Sequence, residues 1–306
     1  MKRSLLAIVA IAIIGCGSST SSMNGTGGNG TGGAAGSGGG GTGGSGGGGS
    51  GGSGGGGGTP GVGLVPPGGS LGTYIVLGDS ISDNGGNAPF FYDQLHMDLA
   101  KKWPSLMYVH AAVSGAITDT YSDGMPAGRP LLATQIAGLG NSYPGDVLVT
   151  ITIGGNDLEG HAIKAIGGVD APIRMEYGQH LDAELGTLAM PGRLGSGKVY
   201  IILANIYDFT DGQGDFATVK CGPGANVSPA MDQMVFSAWN GTGAASLMKV
   251  GGTLYDMHAD FMGHGYNNTD PSQVWYDAAS CIHPNAVGHD AIRRSIYTLV
   301  TGETLP

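Results

Sequence analysis

The sequence predicts an α/β fold of three layers: a central parallel sheet of about five strands with helices on both faces. Two observations carry this. From residue 73 onward, apolar β-rich runs alternate with stretches of helical periodicity. Two of the runs, DVLVTITI at 146–153 and KVYIILANI at 198–206, are nearly free of charge, as strands buried on both faces require. A third observation bounds the domain: 24 of the 34 residues from Gly25 to Gly58 are glycine, and what remains after residue 70 is the length of one domain.

The elements follow in order. Thr73 to Leu77 reads as a first strand. Pro89 to Trp103 sets Phe91, Leu95 and Leu99 on one helical face, and Pro104 closes it. Met107 to Ala112 is a second strand, and Leu132, Ile136 and Leu139 mark a second helix. The strand at 146–153 is followed by a helix through Leu181, Leu185 and Leu188, and then by the strand at 198–206. Pro229 to Val250 reads as helical, with Gly241 and Gly243 expected to weaken or break it. Thr253 to Tyr255 is a weak fifth strand, and Ala286 to Val300 a last helix with Ile292, Ile296 and Leu299 on one side. In such a sheet a ligand sits beyond the carboxyl ends of the strands, so chemistry is expected just after a strand.

Ahead of the domain the chain reads as an export signal and a tether. Lys2 and Arg3 precede the apolar Leu5 to Ile14, too short to span a bilayer. Ile13-Ile14-Gly15-Cys16 resembles a lipobox, so 1–16 is read as a bacterial lipoprotein signal with Cys16 the lipid-bearing residue; an ordinary signal peptide with an incidental cysteine is the alternative. Gly25 to Gly58 is glycine interrupted only by Thr, Ser, Asn and Ala, and 17–70 is read as a disordered linker. The domain is then 71–306, exported and lipid-anchored, at the outer membrane or cell surface since Gly17 follows Cys16. Of the three cysteines, Cys221 and Cys281 remain to pair in an oxidising compartment, with two buried thiols as the alternative. Neither has CxxC spacing, which argues against zinc. The net charge of −10 argues against nucleic acid and anionic lipid surfaces as partners.

Four short blocks each follow a strand or precede the last helix. Gly78-Asp79-Ser80 puts a serine on a tight strand-to-helix turn, where it is a candidate nucleophile or simply a helix cap. Ser114-Gly115 offers a backbone N–H to an oxyanion, or is a turn glycine. Gly154-Gly155-Asn156-Asp157 offers the Asn156 amide as a donor, and His283-Pro284 a general base. The stretch DFTDGQGD, with Asp208, Asp211 and Asp215, could hold Ca²⁺ but lacks the closing Glu of an EF-hand, so a solvated loop is favoured. Tyr207, Phe209, Trp275 and Tyr276 could line an acyl or sugar subsite or serve ordinary packing.

Together the blocks GDS at 78–80, SG at 114–115, GGND at 154–157 and SCIHP at 280–284 resemble the SGNH, or GDSL, hydrolases over about residues 73 to 302. The resemblance implies a flavodoxin-like fold and a serine esterase or lipase without metal or organic cofactor, acting on an acylated carbohydrate, a short-chain ester or a lipid, as a monomer. Ser80 would be the nucleophile and His283 the base. The Ser80 and Gly115 N–H groups and the Asn156 side chain would form the oxyanion hole, while Asp79 and Asp157 would shape their turns. One departure stands out: the family's aspartate, three residues before the histidine, is Ser280 here. Either Asp277, six residues before, completes a triad, or a backbone carbonyl or the Ser280 hydroxyl fixes the ring in a dyad; the spacing favours the dyad. A fold that has lost turnover and serves as a surface binding module is the alternative function.

Overall fold

The computed structural model describes residues 62–216 and 226–305, which belong to one compact unit. Strands β1 (Leu71–Gly78), β2 (Met107–His110), β3 (Asp146–Thr152), β4 (Val199–Ala204) and β5 (Thr253–Tyr255) form one sheet in the order β2-β1-β3-β4-β5, every pair parallel. The helices are α1 (Phe91–Lys102), α2 (Leu132–Gly138), α3 (Gly155–Gly160), α4 (Ala162–Ile166), α5 (Ala171–Ala189), α6 (Pro229–Lys249), α7 (Met257–Phe261) and α8 (Ala286–Thr301). Parallel strands need crossovers, and each crossover lays a helix on one face.

Side-chain alternation sorts the core into two layers. Ile75 and Leu77 of β1, Val147, Val149 and Ile151 of β3, and Ile201 and Leu203 of β4 pack with residues of α2, α5 and α6, such as Leu132, Leu181 and Trp239. Tyr74, Val76, Leu148, Tyr200 and Ile202 face the other way, onto α1, α7 and α8 through Leu95, Phe261 and Ile292. The sheet is therefore the middle of three layers, as predicted. The order reverses between β1 and β3, since the chain runs outward to β2 before returning, and the carboxyl edge at such a switch point is where open α/β sheets bind ligands.

Three expectations change. Helix α6 runs unbroken through Gly241 and Gly243. A Cβ at Gly243 would stand 3.4 Å from the Tyr177 hydroxyl, and the Ser246 hydroxyl donates to the Gly178 carbonyl at 3.1 Å. Close approach to α5 thus offsets the low helix propensity of glycine. Second, the domain starts before residue 71: Leu64 and Val65 donate their N–H groups to the Leu299 and Val300 carbonyls at 2.9 and 3.0 Å, and Val65 is buried. Composition alone assigned these residues to the linker. Third, α3, α4 and α7 were not foreseen, because five or six residues are too few to display a helical period. Cys16 and Cys221 lie outside the described residues, so the lipid anchor and the disulfide pairing rest on sequence. No helix among the described residues is long and apolar enough to cross a membrane.

Candidate active site

Ser80 stands at the carboxyl end of β1 on a single 3₁₀ turn, Ser80–Ser82. Asp79 holds that turn: its carboxylate accepts the Ile81 N–H at 3.1 Å and the Thr152 hydroxyl at 2.8 Å, and its own N–H donates to the Thr152 carbonyl at 2.8 Å. The turn that carries Ser80 is thereby fastened to the end of β3. Burial pushes the Asp79 carboxyl up to about 7, against the pull of the Thr152 and Ile81 bonds. Gly78 has φ 123°, and a Cβ there would lie 2.0 Å from the Thr152 carbonyl oxygen, so only glycine fits. Gln135 of α2 clasps the same glycine, accepting its N–H and donating to its carbonyl, both at 2.8 Å.

His283 lies on the loop entering α8. Asn285 caps that helix by accepting the Val287 and Gly288 N–H groups at 2.9 and 3.0 Å, while its amide donates to the Val274 carbonyl at 2.7 Å. Tyr276 bridges Pro284 in antiparallel fashion, and the Asp277 N–H donates to the His283 carbonyl at 2.8 Å. The Tyr207 hydroxyl donates to the Ile282 carbonyl. So placed, the His283 Nε2 is 2.7 Å from the Ser80 Oγ, across 203 residues of chain. Gly85 and Gly86 join the two halves: Gly85 donates to the Ser80 carbonyl at 2.6 Å, and its own carbonyl meets the His289 Nε2 at 2.8 Å. A Cβ on Gly85 would come within 2.7 Å of the His283 ring, and one on Gly86 within 1.8 Å of the Pro284 carbonyl oxygen.

The other face of His283 is less complete. Its Nδ1 is buried with no hydrogen-bond partner among the described residues. The Asp277 carboxylate instead accepts the Ser280 N–H at 2.9 Å and the Ala279 N–H at 3.3 Å. Neither a direct Asp277 contact nor a backbone carbonyl meets the ring, so the structure brings about neither of these two expected arrangements as drawn. Burial lowers the His283 pKa, and the Asp277 charge opposes it. Burial acts upward on Asp277, but its bonds to Ser280 and Ala279 outweigh it and hold the carboxyl below its ordinary value.

Gly115 turns with φ 81° after β2, and the Ser114 N–H is taken by Asp83, just past the Ser80 turn, at 2.8 Å. The Ser80 and Gly115 N–H groups donate to no protein acceptor among the described residues. The Asn156 amide donates one hydrogen to the Ala116 carbonyl at 2.9 Å, which leaves its second available. Asp157 is buried and accepts the Thr118 N–H, the Thr118 hydroxyl and the Tyr121 hydroxyl at 3.0, 2.7 and 2.7 Å, tying the loop after β2 to α3. Asp79 and Asp157 thus shape turns, as expected. Arg129 bridges to Glu159 at 3.2 Å across the same two elements.

Ser80 and His283 therefore meet at the end of β1, and Gly115 and Asn156 stand on the segments that follow β2 and β3 at the same edge of the sheet. The other sequence candidates do not join them. Tyr207 and Tyr276 are buried, with Phe209 and Trp275 packed against the same core. Asp208 accepts the Thr210 and Gly212 N–H groups at 2.8 and 2.6 Å, and Asp211 takes those of Gly263 and Gly265, so these carboxylates close a loop. No cluster of His, Cys, Asp or Glu among the described residues is arranged to hold a metal. Sequence reasoning missed Gln135, Gly85 and Gly86. Gln135 had a signal, since it stands at core spacing between Leu132 and Ile136 on an apolar helix. Asp83-Asn84-Gly85-Gly86 reads only as a turn.

No protein-family model matches the chain, and no curated protein matches it in sequence. Solved structures do. Phospholipase A1 from Streptomyces albidoflavus NA297 matches at 17% identity and TM-score 0.50, covering 75% of this chain and 99% of that one. An extracellular lipase from Streptomyces rimosus matches at 19% and 0.47 (74% and 99%), and an acetylxylan esterase from Geobacillus stearothermophilus at 18% and 0.47 (78% and 96%). At such identity the likeness is one of fold.

Proposed function

We propose that this chain is an exported serine hydrolase that cleaves carboxylic esters through an acyl-Ser80 intermediate. The observation that carries the reading is the 2.7 Å contact of His283 Nε2 with Ser80 Oγ at the carboxyl edge of the sheet, beside its switch point. Ser80 Oγ adds to the ester carbonyl carbon while its proton passes to His283 Nε2. The carbonyl oxygen, now negative, takes hydrogen bonds from the Ser80 and Gly115 N–H groups and the Asn156 amide. Collapse breaks the bond to the alcohol oxygen, which leaves with the proton from His283. Water then adds to the acyl carbon, giving its proton to His283, and the acid departs as that proton returns to Ser80.

The substrate class is an acylated carbohydrate, a short-chain ester or a lipid. Export, a lipid at Cys16, a Cys221–Cys281 bridge and a monomeric state complete the proposal and rest on the sequence. A fluorophosphonate probe should label the protein at Ser80 and not label Ser80→Ala, and the wild type should turn over at least one member of an ester panel. Absence of both labelling and turnover in a folded protein would sink the reading and leave a binding module. Incorporation of labelled palmitate that is lost in Cys16→Ser tests the anchor.

A further inference from the structure

The loop between Tyr276 and Pro284 holds two buried polar groups that lack partners and complement one another. His283 Nδ1 has no hydrogen-bond partner, and neither does the Ser280 hydroxyl three residues before it. Leaving a buried donor or acceptor unmet costs free energy, so two on one short loop call for a common explanation. The third group of the loop is Asp277. Its N–H donates to the His283 carbonyl at 2.8 Å, which sets the two residues across from one another although six positions separate them. Its carboxylate already holds the Ser280 N–H at 2.9 Å, and the Ser280 and Asn87 side chains both act to lower its pKa.

We propose that Ser280 and Asp277 act together as the positioning pair for His283: Nδ1–H donates to the Ser280 hydroxyl, and that hydroxyl donates to the Asp277 carboxylate. This rests on the reading of Ser80 and His283 as an ester-hydrolysing pair. A hydroxyl has one donor and two acceptor sites and turns about its own bond, so it can serve both neighbours at once. The chain of bonds keeps the proton on Nδ1, leaves Nε2 to receive the Ser80 proton, and brings the carboxylate charge to bear on the imidazolium. A serine side chain is one bond shorter than an aspartate, so it needs the second residue to supply the charge. Two further titratable groups flank the pair: Asp79 on the Ser80 turn, which burial pushes up to about 7, and His289 on α8. Burial pushes His289 down to about 4, so it stays neutral while His283 titrates.

The test follows the His283 ring by NMR titration of the histidine-labelled full chain, which needs no turnover. Ser280→Ala and Asp277→Asn should each lower the ring pKa by about one unit. The double variant should go no further, and Ser280→Thr, which keeps the hydroxyl, should restore the wild-type value. In ester kinetics the two single variants should lose roughly tenfold or more in kcat with KM little changed, less than the ~10⁴ seen when a directly bonded acid is lost. A ring that titrates unchanged in Ser280→Ala, or single effects that add in the double variant, overturns the relay. The two readings separate cleanly. If Ser80 is labelled and esters turn over while Ser280→Ala leaves the ring unchanged, only the relay fails. If the ring responds as expected while Ser80 takes no label, the relay stands and the esterase reading fails.

Discussion

Asn156 commits one amide hydrogen to the Ala116 carbonyl, next to Gly115 in the chain, and keeps the other for the oxyanion of the proposed mechanism. Removing the side chain should therefore cost an oxyanion donor and loosen the loop that carries Gly115. Asn156→Ala is expected to lower kcat by roughly 10²–10³ with KM nearly unchanged, the signature of a bond made in the transition state. A loss confined to KM would instead assign Asn156 to ground-state binding. Burial, opposed by the Asp277 charge, gives His283 a pKa below that of an ordinary imidazole. A base works unprotonated, so kcat/KM should hold through neutral pH and fall only as pH drops below about 6.5. A pH–rate profile whose acid limb lies above 7 would contradict this.

At the scale of elements, the segment leading into β1 is part of the fold. Leu64 and Val65 pair with the end of α8, the Trp103 indole donates to the Gly69 carbonyl at 3.2 Å, and Val65 is buried. A chain starting at Leu71 forfeits these bonds and the burial of Val65. It should be less stable than one starting at Val62 by about 2 kcal/mol, the worth of one buried aliphatic side chain. Equal urea midpoints for the two would show that the segment contributes nothing. The α5–α6 pair teaches a related point. Gly178 and Gly243 let two helices approach closely enough for the Ser246 hydroxyl to reach the Gly178 carbonyl. The same glycines look unfavourable when each helix is considered alone.

For the whole molecule, Glu184 of α5 sets a pH dependence. It is buried, and neither carboxyl oxygen has a partner. Burial first, then the charges of Asp157 and Asp119, push it up to about 10. The folded state therefore keeps a proton that the unfolded chain releases near the ordinary glutamate value. The stability it confers is complete below about 4.5 and declines as pH rises toward 10. Glu184→Gln should flatten this slope: thermal midpoints should match the wild type near pH 4 and exceed it at pH 8 to 9. A wild-type midpoint that rises over that range, with the variant following it, would refute the assignment. Asp123 works in the opposite sense. Burial raises it, but its bond to Lys164 outweighs this and holds the carboxyl at about 2, so its contribution is lost only in strong acid.

The layer order, the five strands and the position of each block after a strand were legible in the sequence, because hydrophobic period and strand-end chemistry are local properties. DVLVTITI could hardly be anything other than a central strand, and GDS, GGND and HP could be assigned to one edge once the strands were parallel. What needed the tertiary structure were the properties that arise between distant segments. Sequence spacing set Asp277 three residues off register, yet an irregular loop pairs its backbone with that of His283. Gln135 reads as a polar fault in an apolar helix until Gly78 is found 57 positions away in the chain, within reach of both its amide ends. Gly85 reads as a turn until His283 arrives beside it. Local pattern determines which elements form and which residues stand at the carboxyl edge, because each residue's burial and period are written in its neighbours. Which side chains then meet, at what distance and with which groups left unpaired, is decided only by packing, since those contacts join residues that the sequence holds far apart.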